Sequence, residues 1–228
     1  MEKKIDYTVL YNVQDEILKI IFDLDNSFYL TGGTALHRFH YNYRYSDDLD
    51  FFSPGDDLYP EYIKQICDKF KSVNIEYSHI VQTRDFNRFL IKSILQIDFI
   101  NDRVFREGLS ITRNNFRIDN ITNILTNKIS AIMSRDEEKD FFDLFCIAFN
   151  ESFDWSEVIQ VANKKAVCDP DLLIYRIKSF PLDWLQRIKR TESDLIITHN
   201  NVETICEDIK EGNENRLARK LSRENFQP

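Results

Sequence analysis

The chain has 228 residues, 43% of them hydrophobic and 30% charged, with 18 Phe and 10 Tyr. That composition excludes a disordered chain and supports a sizeable core, as one large domain or as one domain with a helical extension. The formal charge of −8 argues against broad, nonspecific nucleic-acid binding, because an acidic surface repels phosphate.

Residues 1–24 carry charges at intervals and lack the uninterrupted apolar stretch of a signal peptide. No run approaches the ~20 apolar residues of a membrane span, so the expectation is a soluble, cytoplasmic protein with no membrane partner. Leu10, Val13, Ile17, Leu18, Ile20 and Ile21 recur at roughly helical period and predict a helix over 8–22. Residues 27–33 read as a short strand stopped by Gly32 and Gly33, and residues 34–43 suit a helix capped by Thr34. A second strand over 47–53 ends at Pro54-Gly55. Tyr62, Ile63, Ile66 and Phe70 predict a helix over 58–73.

Residues 75–100 resemble a hairpin with Arg84, Asp85, Phe86 and Asn87 near its turn and β-branched residues on both arms. From residue 120 the pattern is helical almost to the end, in segments 120–134, 136–150, 154–167, 170–180 and a final basic stretch. The expected architecture is α+β. A mixed β-sheet flanked by helices fills residues 1–115, and a helical bundle fills 116–228.

Cys67, Cys146, Cys168 and Cys206 are far apart and share no metal-ligand spacing, which predicts buried free thiols. His37 and His40 stand three apart on a helix without further ligand-type neighbours, so no metal role is assigned to them. Two basic clusters, from Arg187 and from Arg216, read as solvated helix faces.

The chemistry concentrates in residues 30–52. Asp48 and Asp50 are two apart on a predicted strand, so both carboxylates point to one face and repel each other. A cation between them is the natural remedy, and oxygen-only ligands suit Mg²⁺ or Mn²⁺. Gly32-Gly33 lies between a strand and a helix, where missing side chains let backbone N–H groups approach an anion. Together the two features predict a site for the triphosphate of a nucleotide, with attack on phosphorus assisted by a metal. Asp98 is the single charge in an otherwise apolar strand, a costly position unless it is paired or metal-bound. If its strand adjoins that of Asp48 and Asp50, Asp98 completes a cluster and can help accept the attacking hydroxyl's proton.

These residues resemble the AbiEii/AbiGii toxin family of the polymerase β-like nucleotidyltransferase superfamily. The first matching block reads Gly32, Gly33, Thr34, Ala35, Leu36, then Arg44, Ser46, Asp48, Leu49, Asp50, Phe51 and Phe52; the second reads Lys128, Ala131, Arg135, Lys139, Asp140, Phe142 and Asp143. Tyr43 stands where members of the family often have His. The resemblance implies a nucleotidyltransferase core in the N-terminal half and metal-dependent transfer of a nucleotide from an NTP, with pyrophosphate leaving. It also implies the toxin of a toxin–antitoxin or phage-abortive system, with a cognate antitoxin as candidate partner and RNA, above all the tRNA acceptor end, as substrate.

By carry-over, Asp48 and Asp50 bind metal, Gly33, Thr34 and Ser46 contact phosphate, Lys128 holds the triphosphate and Asp140 orients Lys128. Gly32, Arg44 and Arg135 complete the expected nucleotide-binding set. Lys128 and Arg135 are seven apart, two helical turns, so both can face one cleft, and a lysine serves there as a point charge for phosphate. Two alternatives stay open: transfer to a protein or small-molecule hydroxyl, and a catalytically degenerate binding module.

Overall fold

The computed structural model describes residues 5–191 and 195–218. It divides into two compact units, one running to Ile124 and the other starting at Leu125.

The first unit is built on a sheet of seven strands. Helix α1 (Tyr7–Phe22) precedes strand β1 (Tyr29–Thr31). A helix, α2 (Gly32–Ala35), then widens into a π-turn over Leu36–His40. Strand β2 (Asp48–Ser53), helix α3 (Tyr59–Ser72) and the meander β3 (Tyr77–Gln82), β4 (Phe86–Ile91) and β5 (Leu95–Asn101) follow. Strands β6 (Ile111–Arg113) and β7 (Phe116–Ile118) complete the sheet in the order β3-β4-β5-β2-β1-β7-β6. Pairing is mixed: β2 runs parallel to β5, β1 parallel to β7, and the other neighbours are antiparallel.

Alternation along the strands separates the two faces. On β2, Leu49 and Phe51 are fully buried, in register with Ile97 and Phe99 of β5. This face is lined with aromatics: Phe51 stacks on Phe99 with centroids 5.2 Å apart, and Phe28 meets both rings edge-on or tilted. Each such ring, taken wholly out of water, contributes about 1.5–3 kcal/mol. Helices α1 and α3 supply the apolar stripes of the unit, Ile17, Leu18 and Ile21 from one and Ile63, Ile66 and Phe70 from the other. The opposite face of the sheet carries Asp48, Asp50, Arg88, Gln96 and Asp98.

Three local expectations need correcting. Thr34 does not cap the helix; the capping position is Thr31, in extended backbone, and Thr34 lies inside the first turn. Residues 75–100 form three strands rather than one hairpin. The second turn passes through Lys92 and Ser93, whose φ values of 48° and 56° are those of a tight left-handed hairpin turn. Residues 111–118 are a further hairpin, turning at Asn114 and Asn115 with φ of 51° and 66°. Its second strand adds to β1, so the sheet extends beyond residue 115.

The second unit is helical. Helix α4 (Ile121–Ser134) runs into it, followed by α5 (Glu138–Asn150), α6 (Trp155–Lys165), α7 (Pro170–Ser179), a 3₁₀ segment over Leu182–Arg187 and α8 (His199–Glu211). Helix α5 is buried on every side from Asp140 to Phe149, the signature of a central helix. Asp154 and Asp169 cap α6 and α7 with their carboxylates, and Thr198 with Asn201 forms a reciprocal cap on α8. Gly212 ends α8 in the left-handed conformation at φ 66°. Beyond it, Asn215 donates to the carbonyls of Ala148 and Glu151, and Arg216 pairs with the buried Asp208.

All four cysteines are free thiols, three of them buried and Cys67 half-buried. Of the basic clusters, Arg187 lies over the Trp184 ring at 4.5 Å and Arg190 donates to the Leu195 carbonyl. Residues 192–194 and 219–228, which include most of the cluster from Arg216, lie outside the described residues.

Candidate active site

The glycine pair and the acid pair meet. Gly32 takes φ +70°, and a Cβ placed on it would collide with Oδ2 of Asp50. A Cβ on Gly33 would collide with Nη2 of Arg44 and sit 3.1 Å from Oγ of Ser46. The space that the missing side chains leave is therefore filled by a carboxylate and a guanidinium from the segment that follows. The pair was expected to expose backbone N–H groups to an anion. Its structural effect is to let Asp50 and Arg44 reach the turn between β1 and α2.

The start of β2 is held from three sides. Gln14 of α1, fully buried, donates to the carbonyl of Ser46 at 3.1 Å and reaches that of Asp48 at 3.5 Å. Thr34 donates to the Asp48 carbonyl at 2.5 Å. The Ser46 N–H donates to the Tyr11 hydroxyl at 3.1 Å, and Arg44, 3% exposed, donates to the Tyr45 carbonyl at 3.0 Å. Tyr7 stacks on Tyr45 with centroids 4.0 Å apart and donates to Asp47, and burial followed by that carboxylate pushes its phenol well above the usual range. With their backbone fixed this way, Asp48 and Asp50 project from one face of β2, both half-buried.

Register brings the third acid alongside. Asp50 pairs with Asp98 across β2 and β5, and Asp98 pairs with Arg88 across β5 and β4. Thr31, Asp50, Asp98 and Arg88 thus form one row across four strands. Asp98 is 8% exposed and its two oxygens accept from Arg88, Nε at 2.7 Å and Nη2 at 2.6 Å. The hydrogen bonds to Asp98 raise the Arg88 pKa most, and the nearby charges of Asp50 and Asp48 raise it further. Arg88 therefore lies within the field of all three acids. The strand of Asp98 does adjoin that of the acid pair, and its carboxylate is satisfied by a guanidinium that sequence reasoning did not single out.

The residues present fit one hard divalent cation. Asp48 and Asp50 offer oxygen donors from one strand face, and the Gly32 turn leaves room for the second of them. Among the described residues no group of three or more His, Cys, Asp or Glu side chains gathers around a common metal position.

In the second unit Lys128 of α4 lies between two carboxylates of α5, with Nζ 2.8 Å from Asp140 and 2.7 Å from Asp143. Asp143 is fully buried and Lys128 is 9% exposed. Arg135 reaches the other oxygen of Asp140, Nη2 at 2.7 Å and Nε at 2.8 Å. Burial pushes the Asp140 carboxyl up, but Lys128 and Arg135 outweigh it and hold the group below the usual carboxylate range. Lys128 and Arg135 do share a face, and Asp140 joins them. Asp143 is the unexpected second anchor of the lysine, three residues after Asp140 and so on the same side of the helix.

Over residues 17–215 the sequence matches the nucleotidyl transferase AbiEii toxins of type IV toxin–antitoxin systems. The chain belongs to the AbiEii family.

This AbiEii-family chain is 30% identical over 162 residues to an uncharacterised protein of Aquifex aeolicus, covering 67% of this chain and 73% of the relative. Its fold is similar to that of MenT4, a nucleotidyltransferase toxin of Mycobacterium tuberculosis. The TM-score is 0.57 at 16% identity, over 88% of this chain and 81% of MenT4. JHP933 of Helicobacter pylori aligns with a TM-score of 0.52 at 21% identity, over 79% of this chain and 77% of that one. Identities this low speak for the fold alone. The family match identifies this AbiEii-family protein as a nucleotidyltransferase of the toxin class.

Among the described residues of the AbiEii-family enzyme, no helix is long and apolar enough to cross a membrane.

Proposed function

We propose that this enzyme transfers a nucleotide from an NTP to the 3′ hydroxyl of an RNA, with the tRNA acceptor end as first candidate, in a reaction that depends on Mg²⁺ or Mn²⁺. The observation that carries this reading is the meeting of Asp50 with the Gly32 turn while Asp48 projects from the same strand face. A bound divalent ion supplies charge neutralisation at the phosphates, held by Asp48 and Asp50. Gly33, Thr34, Arg44 and Ser46 are assigned to the phosphate chain; Arg44 brings a fixed positive charge to the turn. Lys128, oriented by Asp140 and braced by Arg135, is assigned to the triphosphate.

In the transfer step the acceptor oxygen bonds to the α-phosphorus, the bond to the α–β bridging oxygen breaks, and pyrophosphate leaves. Asp98 is assigned to take the acceptor's proton. Arg88 occupies only part of the acceptor capacity of an ionised carboxylate.

Incubation with each labelled NTP, Mg²⁺ and total tRNA is expected to label RNA, and Asp48→Ala to abolish labelling. Label that persists in that variant overturns the metal assignment. Label that appears only when a protein fraction or an aminoglycoside replaces the RNA moves the reading to another hydroxyl acceptor.

A further inference from the structure

We propose that the sheet face beyond the acids, on strands β3 and β4 and the end of β5, is the docking surface for the unpaired 3′ end of the acceptor RNA. A base stacks on Phe86 there, and the outward edge of the Arg88 guanidinium holds a backbone phosphate. The inference rests on the RNA-acceptor reading above and says where that acceptor lies.

The first observation is what strand alternation leaves open. Along β4 the buried positions are Asn87, Phe89 and Ile91, so Phe86, Arg88 and Leu90 project from the face that carries Asp98, each half-buried. Register sets Ile100 of β5, half-buried as well, opposite Phe86. On β3 the ladder slips between His79 and Val81, and such a bulge places two residues, Ile80 and Val81, against the one Arg88. Ile80 is 56% exposed. The open face of an antiparallel sheet is ordinarily polar. This one is largely apolar around the Arg88–Asp98 ion pair, the pattern of a contact surface.

The second observation is the state of the guanidinium. Nε and Nη2 donate to Asp98, while Nη1 donates to no group among the described residues, on a side chain that is 37% exposed. Donors so placed suit a phosphodiester oxygen. The same guanidinium lies over the Phe86 ring at 5.4 Å, and arginine planes and aromatic rings are the surfaces on which unpaired RNA bases stack. Charge complementarity thus selects the partner. The unengaged donors call for an anion, the ring and its apolar neighbours for a flat π-surface, and an unpaired nucleotide offers both.

The third observation is position. Asp98, the acid assigned to the acceptor hydroxyl, is in register with Arg88. Phe86 is one strand over and two residues along, about 8 Å away at ordinary sheet spacings. A strand end with its hydroxyl at Asp98 therefore brings its last phosphate and an adjoining base to Arg88 and Phe86.

The test is filter binding of end-labelled total tRNA, intact or with its unpaired 3′ end trimmed by exonuclease. Phe86→Ala is expected to weaken binding of intact tRNA about 5- to 150-fold, the range of a lost base stack. Phe86→Tyr keeps the ring and should bind close to wild type. Trimmed tRNA should bind wild type and Phe86→Ala alike, an equality that a general structural defect does not produce. The double variant Arg88→Gln/Asp98→Asn removes the ion pair together, and its slope of log affinity against log salt should be shallower by about 0.7, one single-strand phosphate contact. Circular dichroism checks each fold; if Phe86→Ala does not fold, Ile80→Ser and Leu90→Ala take its place and should weaken intact tRNA only.

Intact tRNA bound as tightly by the folded variants as by wild type, or an unchanged salt slope, overturns the inference while wild type still labels RNA from NTP. A wild-type dimer that Phe86→Ala splits makes the face a self-contact and overturns it too. Failure of wild type to label any RNA overturns the acceptor reading itself. Label in a protein fraction that Phe86→Ala diminishes assigns the face to a protein acceptor instead.

Discussion

Replacing Gly32 by alanine tests the junction on which the site depends. The residue sits at φ +70°, where a side chain costs about 1–2 kcal/mol. For a chain of this size each kcal/mol lowers Tm by about 2–4 °C, so the backbone term alone predicts a fall of about 2–8 °C. The larger effect is local. The new methyl group would overlap Oδ2 of Asp50, and the carboxylate must swing away to admit it. A displacement of about 1 Å at a reacting centre costs on the order of 100-fold in rate. Gly32→Ala is therefore expected to remain folded, melt slightly lower and lose about 100-fold in transfer from labelled NTP. Because the damage runs through Asp50, adding Gly32→Ala to Asp50→Ala should cost nothing further in activity, a non-additivity that a general loss of stability does not produce. A Gly32→Ala enzyme with wild-type turnover refutes the reasoning.

Gly33→Ala is a contrasting case, since Gly33 has an ordinary φ and its methyl would meet the Arg44 guanidinium and the Ser46 hydroxyl. The gain in helix propensity, up to about 1 kcal/mol, is opposed by displacement of a guanidinium that is 3% exposed and donates to the Tyr45 carbonyl, so thermal stability should fall. KM for the NTP should rise as the guanidinium is displaced; unchanged KM removes Arg44 from the phosphate set. Gln14→Leu deletes the donor to the Ser46 and Asp48 carbonyls and should cost about 1–3 kcal/mol for the acceptors left buried, measured by urea unfolding, with a fall in kcat. Asp140→Asn removes one of the two carboxylates on Lys128 and the partner of Arg135, at roughly 3 kcal/mol because Asp143 remains. Asp140 is held below the usual carboxylate range, so its contribution is fully present above about pH 3.9 and lost as pH falls through its lower folded value. The gap in stability between wild type and Asp140→Asn should therefore close only in strong acid; a gap that closes near neutral pH contradicts the assignment.

The elements legible in the sequence are those whose packing leaves a period. Helices α1 and α3 declare their buried stripes through Ile17, Leu18, Ile21, Ile63, Ile66 and Phe70. The face shared by Asp48 and Asp50 follows from strand alternation alone. What the period misses is decided by turns and by pairing partners. The β4–β5 turn uses Lys92 and Ser93, which carry no turn signature, whereas Asn114-Asn115 is a recognisable left-handed turn pair between strands too short to show alternation. Thr34 reads as a cap because a glycine pair looks like a break, yet Gly33 is already helical. Arg88 had a signal too: a lone charge in a half-buried strand, the complement of the lone charge at Asp98. Which strand lies beside which is a property of the register, and only the assembled sheet pairs them. Gln14 likewise interrupts the apolar stripe of α1, a polar side chain whose partner is a carbonyl on a distant strand.

Strand order also bears on how the toxin is made. Asp50 finds Asp98 only across the β2–β5 ladder, although α3, β3 and β4 all lie between the two strands in the chain. Long-range pairings of this kind form late and slowly, and chains emerge from the ribosome amino end first. A nascent chain that has released its glycine turn, Asp48 and Asp50 therefore has no acid row, and synthesis must pass Asn101 before the β2–β5 ladder can close. On the proposed assignment of these acids, the host carries a catalytically silent polypeptide through that interval.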